Sequence, residues 1–167
     1  MPNTFELIAS YAATGSVSTI DFTSIPSTYT DLCLKLSARS TSAGAEAVII
    51  EFNGSTTGFS GRRLAGEVGS GVTSDSTTNI RAAIDTAANT ASTFASGEFY
   101  IPNYSGSTNK SVSLDMVLEN NATASLLSLV AGLWSNTAAI SSIKLSLNSG
   151  GSFVQYSTAY LYGVKNA

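Results

Sequence analysis

Asp31-Leu32-Cys33-Leu34-Lys35-Leu36-Ser37-Ala38-Arg39 is the stretch that decides the fold class. Leu32, Leu34, Leu36 and Ala38 occupy every second position, with polar or small residues between them, which is the period of a half-buried strand. Ser111 to Glu119 repeats the pattern with Val112, Leu114, Met116 and Leu118. Ile143, Leu145 and Leu147 repeat it again opposite Ser142, Lys144 and Ser146. These ten apolar side chains and Ala38 are the expected core.

Looser runs rich in β-branched and aromatic residues occur at Phe5 to Tyr11, Ser16 to Phe22, Ala47 to Phe52, Ser92 to Ile101 and Phe153 to Tyr162. Asn53-Gly54 after one of them is a tight-turn signal. About eight to ten short strands separated by Gly, Asn and Ser clusters predict an all-β chain, a single β-sandwich or jelly roll over residues 1–167. At most one or two short accessory helices are expected. Ile80, Ala83, Ile84 and Ala87 recur at helical spacing and suggest one of them. Leu126, Leu127, Val130, Leu133 and Trp134 also fit a helical face, but strand is favoured over helix for Leu126 to Trp134. Gly54 to Asn79, rich in Gly, Ser and Thr, reads as a long surface excursion.

Composition narrows the function. Apolar residues make up 43% of the chain and charged residues 11%, well under the roughly 25% of an ordinary soluble protein. Ser and Thr fill the polar positions, a surface suited to close packing against neighbours. A net charge of -3 offers no basic stripe for phosphate, so nucleic acid is not an expected partner. No apolar run reaches membrane-span length, and Met1-Pro2-Asn3-Thr4 lacks signal-peptide character. The expectation is therefore folding in a cytoplasm, with no membrane association. Cys33, the only cysteine, reads as a small strand residue. Asn53-Gly54-Ser55, Asn103-Tyr104-Ser105, Asn109-Lys110-Ser111 and Asn121-Ala122-Thr123 match the glycosylation triplet by composition alone.

The chain has no histidine, which removes the commonest general base and zinc ligand together. Neither catalytic nor metal residues are assigned, and no cofactor is expected. Asp21, Asp31, Glu51, Glu98, Asp115 and Glu119 lie on or beside expected strands and read as a solvated face, since no spacing pairs two of them for glycoside hydrolysis. Trp134, Tyr100, Tyr104, Tyr156, Tyr160 and Tyr162 are the aromatics from which a carbohydrate platform would be drawn, with core filling as the competing use. Arg62-Arg63, the one basic doublet, is the candidate interface anchor in the excursion.

Three blocks point to a family. The opening, Ile8-Ala9-Ser10-Tyr11 leading to Gly15-Ser16-Val17-Ser18-Thr19-Ile20-Asp21-Phe22, resembles small virion proteins of tailed bacteriophages. Tyr100-Ile101-Pro102-Asn103-Tyr104 and the closing Gly132-Leu133-Trp134-Ser135-Asn136 and Tyr160-Leu161-Tyr162-Gly163-Val164 are similar to theirs as well. Ser55 to Ala91 is the least alike. The resemblance implies a structural virion protein with no activity of its own. A compact chain without a fibre shaft fits a capsid decoration, or cement, protein that stabilises the outer head shell. Its partners would be the major capsid protein or other virion proteins, in a homo-oligomer, a trimer. The alternative is a tail fibre or receptor-binding module recognising host surface carbohydrate.

Overall fold

A computed structural model describes residues 4–121 and 125–165. The opening Met1-Pro2-Asn3 and the Ala122-Thr123 part of one glycosylation triplet lie outside the described residues. Twelve strands form: β1 (Phe5–Ala12), β2 (Ile20–Phe22), β3 (Asp31–Ala38), β4 (Glu46–Phe52), β5 (Phe59–Glu67), β6 (Gly71–Thr77), β7 (Ile80–Ile84), β8 (Ala95–Pro102), β9 (Lys110–Glu119), β10 (Ser125–Trp134), β11 (Ile143–Leu147) and β12 (Thr158–Val164). Among the described residues there is no helix.

The strands make two antiparallel sheets, an eight-stranded one in the order β1-β12-β3-β8-β9-β10-β5-β6 and a four-stranded one in the order β2-β11-β4-β7. The result is a β-sandwich of unequal layers, eight strands over four, and not the plain four-over-four of a simple jelly roll. The chain crosses repeatedly between them. Asn53 and Gly54, both at positive φ, make one such crossing from β4 to β5. Ser55 N donates to Phe52 O across the turn at 2.9 Å, and the Asn53 amide fixes the neighbouring loop by accepting from the Ser141 and Ser142 amides at 2.8 and 3.1 Å.

One core fills the space between the sheets. All ten of the expected core side chains, Leu32, Leu34, Leu36, Val112, Leu114, Met116, Leu118, Ile143, Leu145 and Leu147, are buried in it, together with Ala38. Trp134 joins Phe52 and Phe59 in an aromatic cluster, stacked on Phe59 at 5.8 Å and tilted against Phe52 at 5.6 Å. One inter-sheet contact depends on missing side chains. Gly61 and Gly132 lie directly opposite each other on β5 and β10, and a Cβ on Gly132 would come within 2.9 Å of three Ile80 side-chain carbons. β7 can therefore seat the buried Ile80 against bare backbone.

Two expectations are corrected. Ile80 to Ile84 is a strand, because the buried residues are Ile80, Ala82 and Ile84. With alanine at both 82 and 83, the helical and extended patterns are indistinguishable in sequence, and pairing with β4 decides between them. Gly54 to Asn79 is no surface excursion: it contains the β5–β6 hairpin, which extends the large sheet from β10. Leu126 to Trp134, by contrast, is the favoured strand, lying within β10.

Buried charges staple the loops through backbone carbonyls and amides. Lys110, fully buried, donates from Nζ to the carbonyls of Gly106, Thr108 and Thr137. Arg39 reaches the carbonyls of Asn89, Thr90 and Thr93. Glu46 accepts from the amides of Ala47 and Ser149.

Leu114→Ala is expected to cost about 2–5 kcal/mol through lost burial and a residual cavity. Ser113→Ala, one residue away on the exposed face, should stay within about 0.5 kcal/mol. Urea unfolding of the two variants checks the facing of β9.

Candidate functional site

The inner face of the large sheet is core, so its outer face is the broad surface that remains for recognition. Strand register lays that face out in rows. One row runs Tyr160–Lys35–Glu98–Asp115–Leu129–Leu64, each residue opposite the next. A second runs Tyr162–Cys33–Tyr100–Ser113–Ala131–Arg62, and a third Thr158–Ser37–Ser96–Val117–Leu127–Gly66–Val72. The face thus divides into a polar half on β12, β3 and β8 and an aliphatic half on β10, β5 and β6, with β9 between them.

In the aliphatic half Leu64, Val72, Leu127, Leu129 and Leu133 are all exposed, Leu127 and Leu129 at about 60%, and Val117 on β9 is exposed beside them. Beside them a trough of about 630 Å³ runs over the small residues Ser113 and Ala131, walled by Tyr100 and Pro102 on one side and by Arg62, Leu64 and Leu129 on the other. β10 is apolar on both sides: Leu126, Val130 and Trp134 face the core, and Leu127, Leu129 and Leu133 make this surface. Its inward positions also include Gly132 and Ser128, and the Ser128 hydroxyl is buried with no hydrogen-bond partner among the described residues. Exposed leucines and an unsatisfied buried hydroxyl both cost free energy.

Arg62 and Arg63 are not on a loop tip. They are neighbours in β5, and alternation sends their side chains to opposite faces. Arg63 Nε donates to Asp75 Oδ1 at 2.7 Å across the β5–β6 pair. The exposed Arg62 makes only a 3.2 Å bond to the adjacent Gly61 carbonyl. Elsewhere Lys35, Lys144 and Lys165 are ion-paired, Arg39 and Lys110 are bonded to carbonyls, and Arg81 is bonded to Asn148. Among the described residues Arg62 is therefore the basic group left uncommitted.

Of the aromatics from which a carbohydrate platform would be drawn, two fill the core. Trp134 and Tyr104 are buried. Tyr104 donates its hydroxyl to the Pro26 carbonyl and is a core residue. Tyr100 lies within the sheet and donates to Asp31 Oδ2 at 2.5 Å, while Asp31 Oδ1 accepts from Asn103 N at 2.8 Å. Asp31 is accordingly a buried turn anchor, which corrects its reading as part of a solvated face. Tyr156 projects from a turn and Tyr160 from β12, 72% and 39% exposed. Asp21 accepts from Thr19, Glu51 pairs with Lys144, and Glu119 accepts from Asn121 N.

Register brings together what sequence spacing left apart. Glu98 and Asp115 are direct cross-strand partners, a position that puts Cβ atoms about 4.5–5.5 Å apart. Glu98 is held by Lys35 at 2.5 Å, and that hydrogen bond raises the lysine's pKa. Both carboxylates sit on an open sheet face rather than in a cleft that excludes water. The arrangement places carboxylate acceptors and the Lys35 donor side by side on one face. Cys33, fully buried between Tyr162 and Tyr100 in its row, has its thiol pushed up to about 11, chiefly by burial, and is chemically quiet. No group of described Asp, Glu or Cys residues is arranged to hold a metal ion. No helix of the described residues is long and apolar enough to cross a membrane.

Compared with known proteins, the chain matches no family model, no curated protein and no solved structure.

The Tyr100 phenol is pushed up to about 12, first by its hydrogen bond to Asp31 and then by burial. Its folded value lies above the unfolded value of about 10, so its stabilising contribution is fully present below pH 10 and is lost as pH rises through about 12. In an ultraviolet pH titration, the difference between wild type and Tyr100→Phe should show one phenol ionising near pH 12. A midpoint near 10 would mean that the Asp31 bond does not form.

Proposed function

We propose that the chain is a structural virion protein of a tailed phage, a capsid decoration protein that binds and stabilises the outer head shell and catalyses no reaction. The observation that carries this reading is the aliphatic half of the outer face. Six large apolar side chains stand exposed on neighbouring strands, a contiguous patch of the kind that marks an interaction site. The orientation of β10 presents three leucines at the expense of an unsatisfied buried serine. Such a face is well matched to a partner that covers it. Arg62 at the rim supplies a planar donor for a carboxylate or carbonyl of that partner. Sparse charge and a hydroxyl-rich surface fit dense packing on a shell, and the resemblance of the opening and closing blocks to virion proteins supplies the context. The assembly on the shell is a homo-oligomer, a trimer, bridging neighbouring capsid subunits.

The mechanism is mass action. A protein that binds the assembled lattice and not its dispersed subunits stabilises the lattice in proportion to the logarithm of free concentration over dissociation constant. Repetition over the shell makes a modest interface sufficient.

Heads prepared without the chain should rupture at lower temperature and on milder osmotic shock, and added chain should restore them. Leu64→Asp and Arg62→Glu, both outward on β5, should each weaken head binding about tenfold or more, at about 1.4 kcal/mol per decade, while their thermal unfolding stays close to wild type. Equally robust heads without the chain, or label found only on the tail, would overturn the reading.

A further inference from the structure

The polar half of the outer face contains a second depression, of about 370 Å³, between β12, β3, β8 and β9. We infer that this depression, between Tyr160 and Asp115, is a saccharide-binding site for uncharged or amine-bearing pyranosides.

The argument begins with what a pyranose presents: apolar C–H faces and a rim of hydroxyls that both donate and accept. The depression offers both kinds of partner. Tyr160 is 39% exposed and heads the row Tyr160–Lys35–Glu98–Asp115, so its ring can take a sugar face. The Asp115 side chain makes no hydrogen bond or ion pair to a described residue and is exposed on β9, leaving its carboxylate oxygens as acceptors for sugar hydroxyls. Lys35, 55% exposed along its side chain, spends one donor on Glu98 and keeps two. Thr158 and Ser96 add hydroxyls from the adjacent row. The volume lies within the range of small-molecule sites, about 300–1,000 Å³.

Charge sets the class. Two carboxylates against one ammonium leave the depression negative, which disfavours uronates and sialic acids and tolerates neutral sugars or amines. The site is also separable from the aliphatic half. Neighbouring strands rotate by roughly 20–25° each, so three steps from β3 to β10 turn the two halves apart by about 60–75°. A partner seated on the leucines would leave the tyrosine side accessible.

The test is an NMR titration of the isotope-labelled full chain with chitotetraose, maltotetraose, fully deacetylated chitotetraose and tetragalacturonic acid, and separately with calcium chloride. An uncharged or amine-bearing probe should shift the amides of Lys35, Glu98, Asp115 and Tyr160, and the galacturonate should not. Tyr160→Ala and Asp115→Asn, both outward-facing and expected to keep the wild-type dispersion of amide signals, should each weaken binding about tenfold. Leu64→Asp, in the other half, should leave it unchanged. The site is refuted by a panel that produces no shift, by shifts that persist undiminished in Tyr160→Ala, or by a response to calcium alone. None of these outcomes bears on whether the chain binds a phage head.

Discussion

The stacking of Trp134 on Phe59, with Phe52 tilted against both, fixes more of this molecule than its local burial suggests. In a strand, a slip of one residue exchanges the two faces completely. Anchoring Trp134 inward therefore commits Val130 and Gly132 inward and Leu127, Leu129, Ala131 and Leu133 outward. Gly132 reinforces the commitment, because only a residue without a side chain lets Ile80 approach at that level. The apolar outer half is thus a consequence of core packing at one end of β10. A sequence under selection for solubility alone could have placed polar residues at those outward positions.

The same economy appears in the charges. Lys110, Arg39 and Glu46 are buried and bonded to main-chain groups, so they act as loop fasteners with little access to solvent. Burial lowers the lysine's pKa, and its carbonyl partners keep the ammonium hydrogen-bonded, which limits the desolvation cost. The remaining cations are largely engaged in surface pairs. A chain with few charges has spent most of them on its own loops and edges, and this leaves Arg62 conspicuous on the outer face.

The sequence was legible where one face was buried and the other polar, as in β3, β9 and β11. There, alternation identified the strand and its core residues together. It misled where that contrast failed. β7 carries alanine on both faces, at 82 and 83, and so imitated a helical stripe. β5 and β6 have little bulk to bury, with Gly61, Arg63, Ala65 and Asp75 among their positions, and so imitated a loop. The site was less legible than the fold, because Glu98 and Asp115 meet only through the register of β8 on β9, which is a property of a pair of strands and not of either one. Trp134 and Tyr104 were ambiguous for a related reason: an aromatic ring serves a core and a platform equally well, and burial alone tells them apart.

The large sheet ends in β1 on one side and β6 on the other, each with a neighbour on one flank only. Both edges expose main-chain donors and acceptors that a further strand can complete. The choice of junction has a topological consequence. Pairing β6 with β6 of another copy is self-complementary and stops at two, whereas pairing β6 with β1 leaves a new β1 and a new β6 free. Repeated head to tail, that second junction either closes into a ring or grows as a filament, and the angle per copy, set by the sheet's own twist, decides between them.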